Sequence, residues 1–174
     1  EAAGNAAGNY PLTWTGASNT IDITQDATGP ASVDAGSSYN MGRFNFKQTL
    51  AGAQYSDTDI TSLRLTALGS ASASDIQEVR IYYDSDCNGS AGTIIGTGVF
   101  TGSPLTKTFS ITAGSATIEA DNTTPPNRCI YVEMDIAASA TGAHTIGVKI
   151  DNVAHIVTDL SYAVSGATPP PIDL

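Results

Sequence analysis

The eight residues CIYVEMDI, at positions 129–136, carry the clearest structural signal in this chain. Apolar side chains occupy every second position from Ile130 to Ile136, and polar or amphipathic ones lie between them. Because side chains alternate between the two faces of a strand, this period predicts a strand with one buried face. Such one-sided strands are typical of antiparallel sheets.

The same alternation recurs along the whole chain, which points to ten to twelve short strands. The predicted strands are residues 11–15, 20–25, 39–47, 60–68, 78–84, 93–100, 105–112, 116–120, 129–136, 144–151, 153–158 and 160–164. Clusters of Gly, Asn, Asp and Pro separate them, and only residues 72–76 suggest a helical turn. We therefore predict an all-β protein, an antiparallel β-sandwich of Greek-key or jelly-roll type with an extended N-terminal segment.

Composition excludes several classes of partner. The 174 residues include 7 basic and 17 acidic ones, which gives a formal net charge of −10. Binding nucleic acid by phosphate neutralisation needs clustered Lys and Arg, as does docking on anionic membranes, and this chain has too few. Since no run approaches 18 apolar residues, we also expect no membrane insertion.

Cys87 and Cys129 are the only cysteines, and each lies at the end of a predicted strand. Low Lys content, abundant Ser and Thr, and a start at Glu1 without a leader suggest a mature secreted chain, so we expect an extracellular or cell-surface location. In that setting a disulfide is favoured over two buried thiols. Closing its loop of about 40 residues contributes roughly 3–4 kcal/mol in the chain-entropy model. Two cysteines and two distant histidines lack the spacing of a zinc site.

The segment DSDCNG, residues 84–89, places oxygen-bearing side chains at alternate positions before a glycine. Asp84, Asp86 and Asn88 therefore match the first half of a calcium loop, and Ca²⁺ is the one cofactor that the sequence suggests. Ile95 stands where an EF-hand needs its closing Glu, so a looser calcium loop and a metal-free hairpin turn remain as alternatives. Asn88 and Asn122 also begin Asn-x-Ser/Thr triplets, which makes both candidate glycosylation sites.

Catalytic motifs are missing from the sequence. The nucleophile pattern G-x-S-x-G is absent, and His144 and His155 have no recognisable partners. Paired carboxylates such as Asp57 and Asp59 lack the flanking aromatic residues expected of a glycosidase. We therefore expect that the protein is not an enzyme.

Residues 10–26 hold two strand-like pieces, one with Leu12 and Trp14 on a common face and one with Ile21 and Ile23. A terminal segment with alternate apolar residues can add as a strand to the sheet of another subunit. The alternative is an ordinary first strand of the chain's own sandwich. We accordingly divide the chain into a candidate donor extension (1–32), a sandwich domain (33–165) and a Pro-rich tail (166–174).

Two stretches carry a resemblance to a known family. DIQEVRIYYD at residues 75–84 runs into the Asp/Asn/Gly loop, and YVEMDI at residues 131–136 is followed by ATG at residues 140–142. Over residues 33–150 the chain resembles a β-sandwich module of prokaryotic secreted and cell-surface proteins. The resemblance implies a non-catalytic structural or adhesive role.

These observations lead to one functional hypothesis and an alternative. The first is a secreted structural subunit that self-assembles, by strand addition between subunits, into an extracellular pilus-like filament or a surface layer. Its partner would be a further copy of itself. The alternative is a monomeric cell-surface module for adhesion that binds a carbohydrate or Ca²⁺.

Overall fold

A computed structural model describes residues 20–49, 56–88, 92–120, 128–160 and 163–165. These residues form two β-sheets packed face to face, which confirms the predicted all-β sandwich. The described residues include no α-helix, but a 3₁₀ turn at Ala73–Asp75 lies where the sequence suggested a helical turn. A second 3₁₀ turn occupies Val153–His155.

The strands are numbered in chain order. They are β1 Thr20–Thr28, β2 Ser38–Thr49, β3 Thr58–Leu68, β4 Ile76–Asp84, β5 Thr93–Gly98, β6 Thr106–Ser110, β7 Thr117–Ile118, β8 Arg128–Ile136, β9 Gly147–Lys149, β10 Ile156–Thr158 and β11 Ala163–Ser165. Sheet I has the order β11-β1-β2-β8-β4-β5. Sheet II is built on β3, which pairs with β6 and β7 along one edge and with β9 and β10 along the other.

The connections cross repeatedly between the sheets. Strand β8 is inserted between β2 and β4, although both come much earlier in the chain. Every pair in the two sheets is antiparallel except that of β1 with β11, which is parallel. Interleaving of this kind produces a contact map dominated by residues far apart in sequence, as in other Greek-key sandwiches.

The apolar faces of both sheets meet in one core. Phe44 and Phe46 of β2, Leu63 and Leu65 of β3, and Ile81 of β4 are each at most 2% exposed. Full burial of one such side chain stabilises the fold by roughly 1.5–3 kcal/mol relative to leaving it in water. The alternation that predicted the strands therefore sets which side chains fill the space between the sheets.

Strand β1 corrects the domain boundary drawn from the sequence. It pairs along its length with β2 and, over its first three residues, with β11, and Ile21 and Ile23 are buried in the chain's own core. These two side chains thus follow the alternative of an ordinary first strand, because one face of an internal strand must pack against the opposite sheet. Thr20–Thr28 therefore belongs to the described sandwich, although the predicted boundary at residue 33 left it out. Leu12, Trp14 and the tail 166–174 lie outside the described residues.

The sandwich has two distinct ends. At one, which we call the Thr20 end, β1 begins opposite Thr49, the last residue of β2. At the other, the Asp75 end, β2 begins at Ser38 beside the close of β8 at Ile136. The 12 residues of β2 separate the two ends by about 35–40 Å at the usual rise per residue.

Candidate functional site

The disulfide predicted from the sequence is present. Cys87 follows β4, Cys129 lies in β8, and their Cα atoms are 5.2 Å apart. The register pairs Asp84 directly with Cys129, so the end of β4 delivers Cys87 to its partner. The bond joins two neighbouring strands of sheet I near the Thr20 end and closes a long loop that contains β5, β6 and β7.

The segment from Asp84 to Asn88 forms a compact turn of successive side-chain to backbone hydrogen bonds. The amide of Asp86 donates to Asp84 Oδ1 at 3.2 Å, and the backbone amide of Asn88 donates to Asp86 Oδ1 at 3.4 Å. Asp and Asn side chains make bonds of this kind in turns that hold no metal, which is the alternative given in the sequence analysis. Among the described residues, no group of three or more His, Cys, Asp or Glu side chains is placed to hold a metal ion. The calcium site stays a prediction, as does glycosylation at the exposed Asn88, and Asn122 lies outside the described residues.

A buried carboxylate organises the opposite end of the molecule. Asp75 is 4% exposed and accepts hydrogen bonds from the amide of Ser72 at 2.7 Å and the amide of Thr141 at 2.8 Å. His144 Nδ1 lies 2.9 Å from Asp75 Oδ2. The Thr141 and Ser72 amides, with His144, hold the pKa of Asp75 well below its usual range, because each donor favours the charged carboxylate. Asp75 therefore ties the 3₁₀ turn to the loop that precedes β9.

An open pocket of about 110 Å³ lies above this carboxylate. Polar and apolar atoms line it in nearly equal parts, and Asp75 and His144 are among the polar groups. The lining comprises Val33, Ala35, Ala71, Asp75, Ile136, Ala140, Thr141, Gly142, Ala143, His144 and Ile146. A small pocket of mixed lining suits a single protruding side chain that carries both apolar surface and a polar group.

Sequence reasoning missed this pocket. It assigned no partner to His144, which meets Asp75 only when β4 and the loop after β8 come together. One local signal was available, because Ser72-x-x-Asp75 matches the capping pattern in which an acidic side chain returns to the backbone amide three residues earlier.

The outer face of sheet I carries a cluster of charged side chains centred on Arg80. Arg80 donates to Glu133 at 2.9 Å and to Glu78 at 2.6 Å, and it also contacts Asp135. Partial burial disfavours the charge of Arg80, but its bonds to Asp135 and Glu133 outweigh this and raise its pKa. The hydroxyl of Tyr82 donates to the same Glu133 at 3.0 Å. One guanidinium contacts three carboxylates here, so the cluster keeps an excess of negative charge although its members are bonded to one another.

Comparison of the chain with models of known protein families and with curated protein sequences gave no match. Within the part of the chain that the structure describes, there is no helix of the length and apolarity needed to cross a membrane.

Proposed function

We propose that this protein is an extracellular structural subunit that assembles with further copies of itself into a filament or surface layer. The joint is made by residues 10–19, which contribute Leu12 and Trp14 to a neighbouring subunit. This narrows the donor segment inferred from the sequence, since Ile21 and Ile23 are engaged in the chain's own sheet.

The observation that carries the proposal is the position of β1. The described residues bury the faces of both sheets against each other, and this core begins with Ile21. The chain's single Trp and a Leu, in alternate positions, precede the first strand of this core. Apolar side chains of this kind gain stability by burial against another surface.

Two further features support the proposal. The Cys87–Cys129 bond suits an oxidising, extracellular environment. In addition, at least 19 residues precede Thr20, and an extended segment of that length spans about 60 Å. A segment that leaves one end of a subunit and binds a different surface of the next makes a heterologous contact, and such contacts generate open polymers when they do not close into a ring.

The test is the assembly of the full chain, followed by light scattering and negative-stain microscopy as its concentration rises. We expect filaments or sheets from the wild type and from a control carrying Thr13→Asp and Thr15→Asp. We expect monomers when the same two charges are introduced by Leu12→Asp and Trp14→Asp. A wild-type chain that stays monomeric contradicts the proposal and directs attention to the alternative of a binding module, whereas equal loss in both variants contradicts the assignment of the joint.

A further inference from the structure

We infer that the pocket at the Asp75 end receives the side chain of Trp14 from a neighbouring copy of the chain. This inference rests on the proposed function and adds the acceptor site. Subunits would then stack head to tail, with the Thr20 end of one against the Asp75 end of the next.

The chemistry of the pocket fits an indole ring. Val33, Ala71 and Ala140 line the pocket and are partly buried apolar side chains packed against the core, so they supply apolar surface for the ring. A buried Trp needs an acceptor for its indole N–H. Asp75 Oδ1 receives the Thr141 amide in the described structure, and a carboxylate oxygen can accept a second hydrogen bond. The pocket therefore offers both the apolar surface and the acceptor that a Trp side chain requires.

The length of the chain decides between insertion into the same subunit and insertion into a neighbour. Trp14 precedes Thr20 by six residues, which span at most about 20 Å. The pocket lies at the opposite end of the sandwich, about 35 Å or more from Thr20 along the strands. Trp14 thus cannot reach the pocket of its own chain, but it can project beyond the Thr20 end into a subunit stacked there.

The edge strand β5 is a weaker acceptor for the N-terminal segment of a neighbouring subunit. The Cε and Nζ atoms of Lys107 lie over the face of Gly98 in this edge strand, so close that a Cβ at residue 98 would collide with them. A lysine placed over an edge strand is a common device against pairing with another chain. No lysine is among the residues that line the pocket.

The fluorescence of the intact protein tests this inference directly, because Trp14 is the only Trp in the chain. We expect its emission to move to shorter wavelength as assembly proceeds, since the indole passes from water into the partly apolar pocket. A Gly142→Phe variant should obstruct the pocket, because Gly142 is part of its lining. The fold should tolerate the change, since a Cβ at Gly142 meets no atom within 4 Å and the backbone there is outside the left-handed region. The matched control is Gly142→Ala, which leaves the pocket open.

The expected results separate this inference from the proposed function. Gly142→Phe should raise the concentration needed for assembly about tenfold or more, the effect of losing one Trp anchor, and Gly142→Ala should not. Near-wild-type thermal unfolding of both variants would show that the sandwich is intact. If Gly142→Phe assembles normally while Trp14 emission shifts, the pocket is the wrong acceptor and the proposed function stands. If the wild type assembles with Trp14 emission unchanged, this inference fails and Trp14 is removed from the proposed joint, although self-assembly itself stands. If the wild type never assembles, both fail.

Discussion

Loss of the Cys87–Cys129 disulfide should lower the free energy of unfolding by about 4 kcal/mol. The two residues are separated by 42 positions, and cross-linking a loop of that length removes about 13 cal/mol/K of entropy from the unfolded chain in the chain-entropy model. For a domain of this size, the same loss should lower the melting temperature by about 8–16 °C. Because natural domains are stable by only about 5–15 kcal/mol, the bond would supply a large share of the total.

The assay is denaturant unfolding of the oxidised wild type, the reduced wild type and a variant carrying Cys87→Ser with Cys129→Ala. Alanine is chosen for position 129 because Cys129 is fully buried and a serine would bury an unpaired hydroxyl there. Reduced wild type and variant should agree, apart from the small packing change at residue 129. The dependence on denaturant should also steepen, since an unlinked unfolded chain exposes more surface. If reduction lowers the free energy of unfolding of the wild type by less than about 1 kcal/mol, the bond does not make the large contribution to stability derived above.

Three further predictions test the packing and the Asp75 end. Ile81→Ala should cost about 2–5 kcal/mol in unfolding free energy because Ile81 is fully buried, whereas Ile94→Ala on the adjacent strand, half exposed at 50%, should cost less than about 1 kcal/mol; chemical denaturation measures both, and similar losses would contradict the assigned faces. Gly69→Ala should lower the melting temperature while Gly142→Ala does not, because Gly69 has a φ of 92° and no room for a Cβ. An unchanged melting temperature for Gly69→Ala would contradict the left-handed, tightly packed backbone at this turn. Asp75 has a lowered pKa in the folded state, so its contribution is fully present above the unfolded value of about 4 and declines as pH falls from there towards the lower folded pKa. Melting curves from pH 7 to pH 2 should therefore show the gap between wild type and Asp75→Asn narrowing below about pH 4, and a constant gap would disprove the linkage.

Much of the fold could be predicted from the sequence, because sheet faces follow a period of two. The strands around Phe44, Leu65 and Ile81 were predicted close to their observed positions, since each alternates apolar and polar residues beside a turn. Prediction was less accurate where side chains compete for the backbone. In residues 153–158 the first turn is 3₁₀ because Asn152 accepts the Ala154 amide, and the strand starts only at Ile156.

The pairing of strands and the pocket could not be predicted in the same way. Periodicity shows which face of β1 is apolar, but it does not say whether Ile21 packs in its own sheet or in that of a neighbour. The contact between His144 and Asp75 joins residues 69 positions apart, and no local pattern specifies it. By contrast, the disulfide was predictable because only one intramolecular pairing of two cysteines exists.

The mass of the purified full chain in solution, followed across a wide range of concentration, tests the central claim most directly. We expect the monomer of 17.8 kDa to give way to long polymers as concentration rises, and to do so only while Leu12 and Trp14 are intact. A single species of 17.8 kDa at every concentration would contradict the account of this protein as a self-assembling structural subunit.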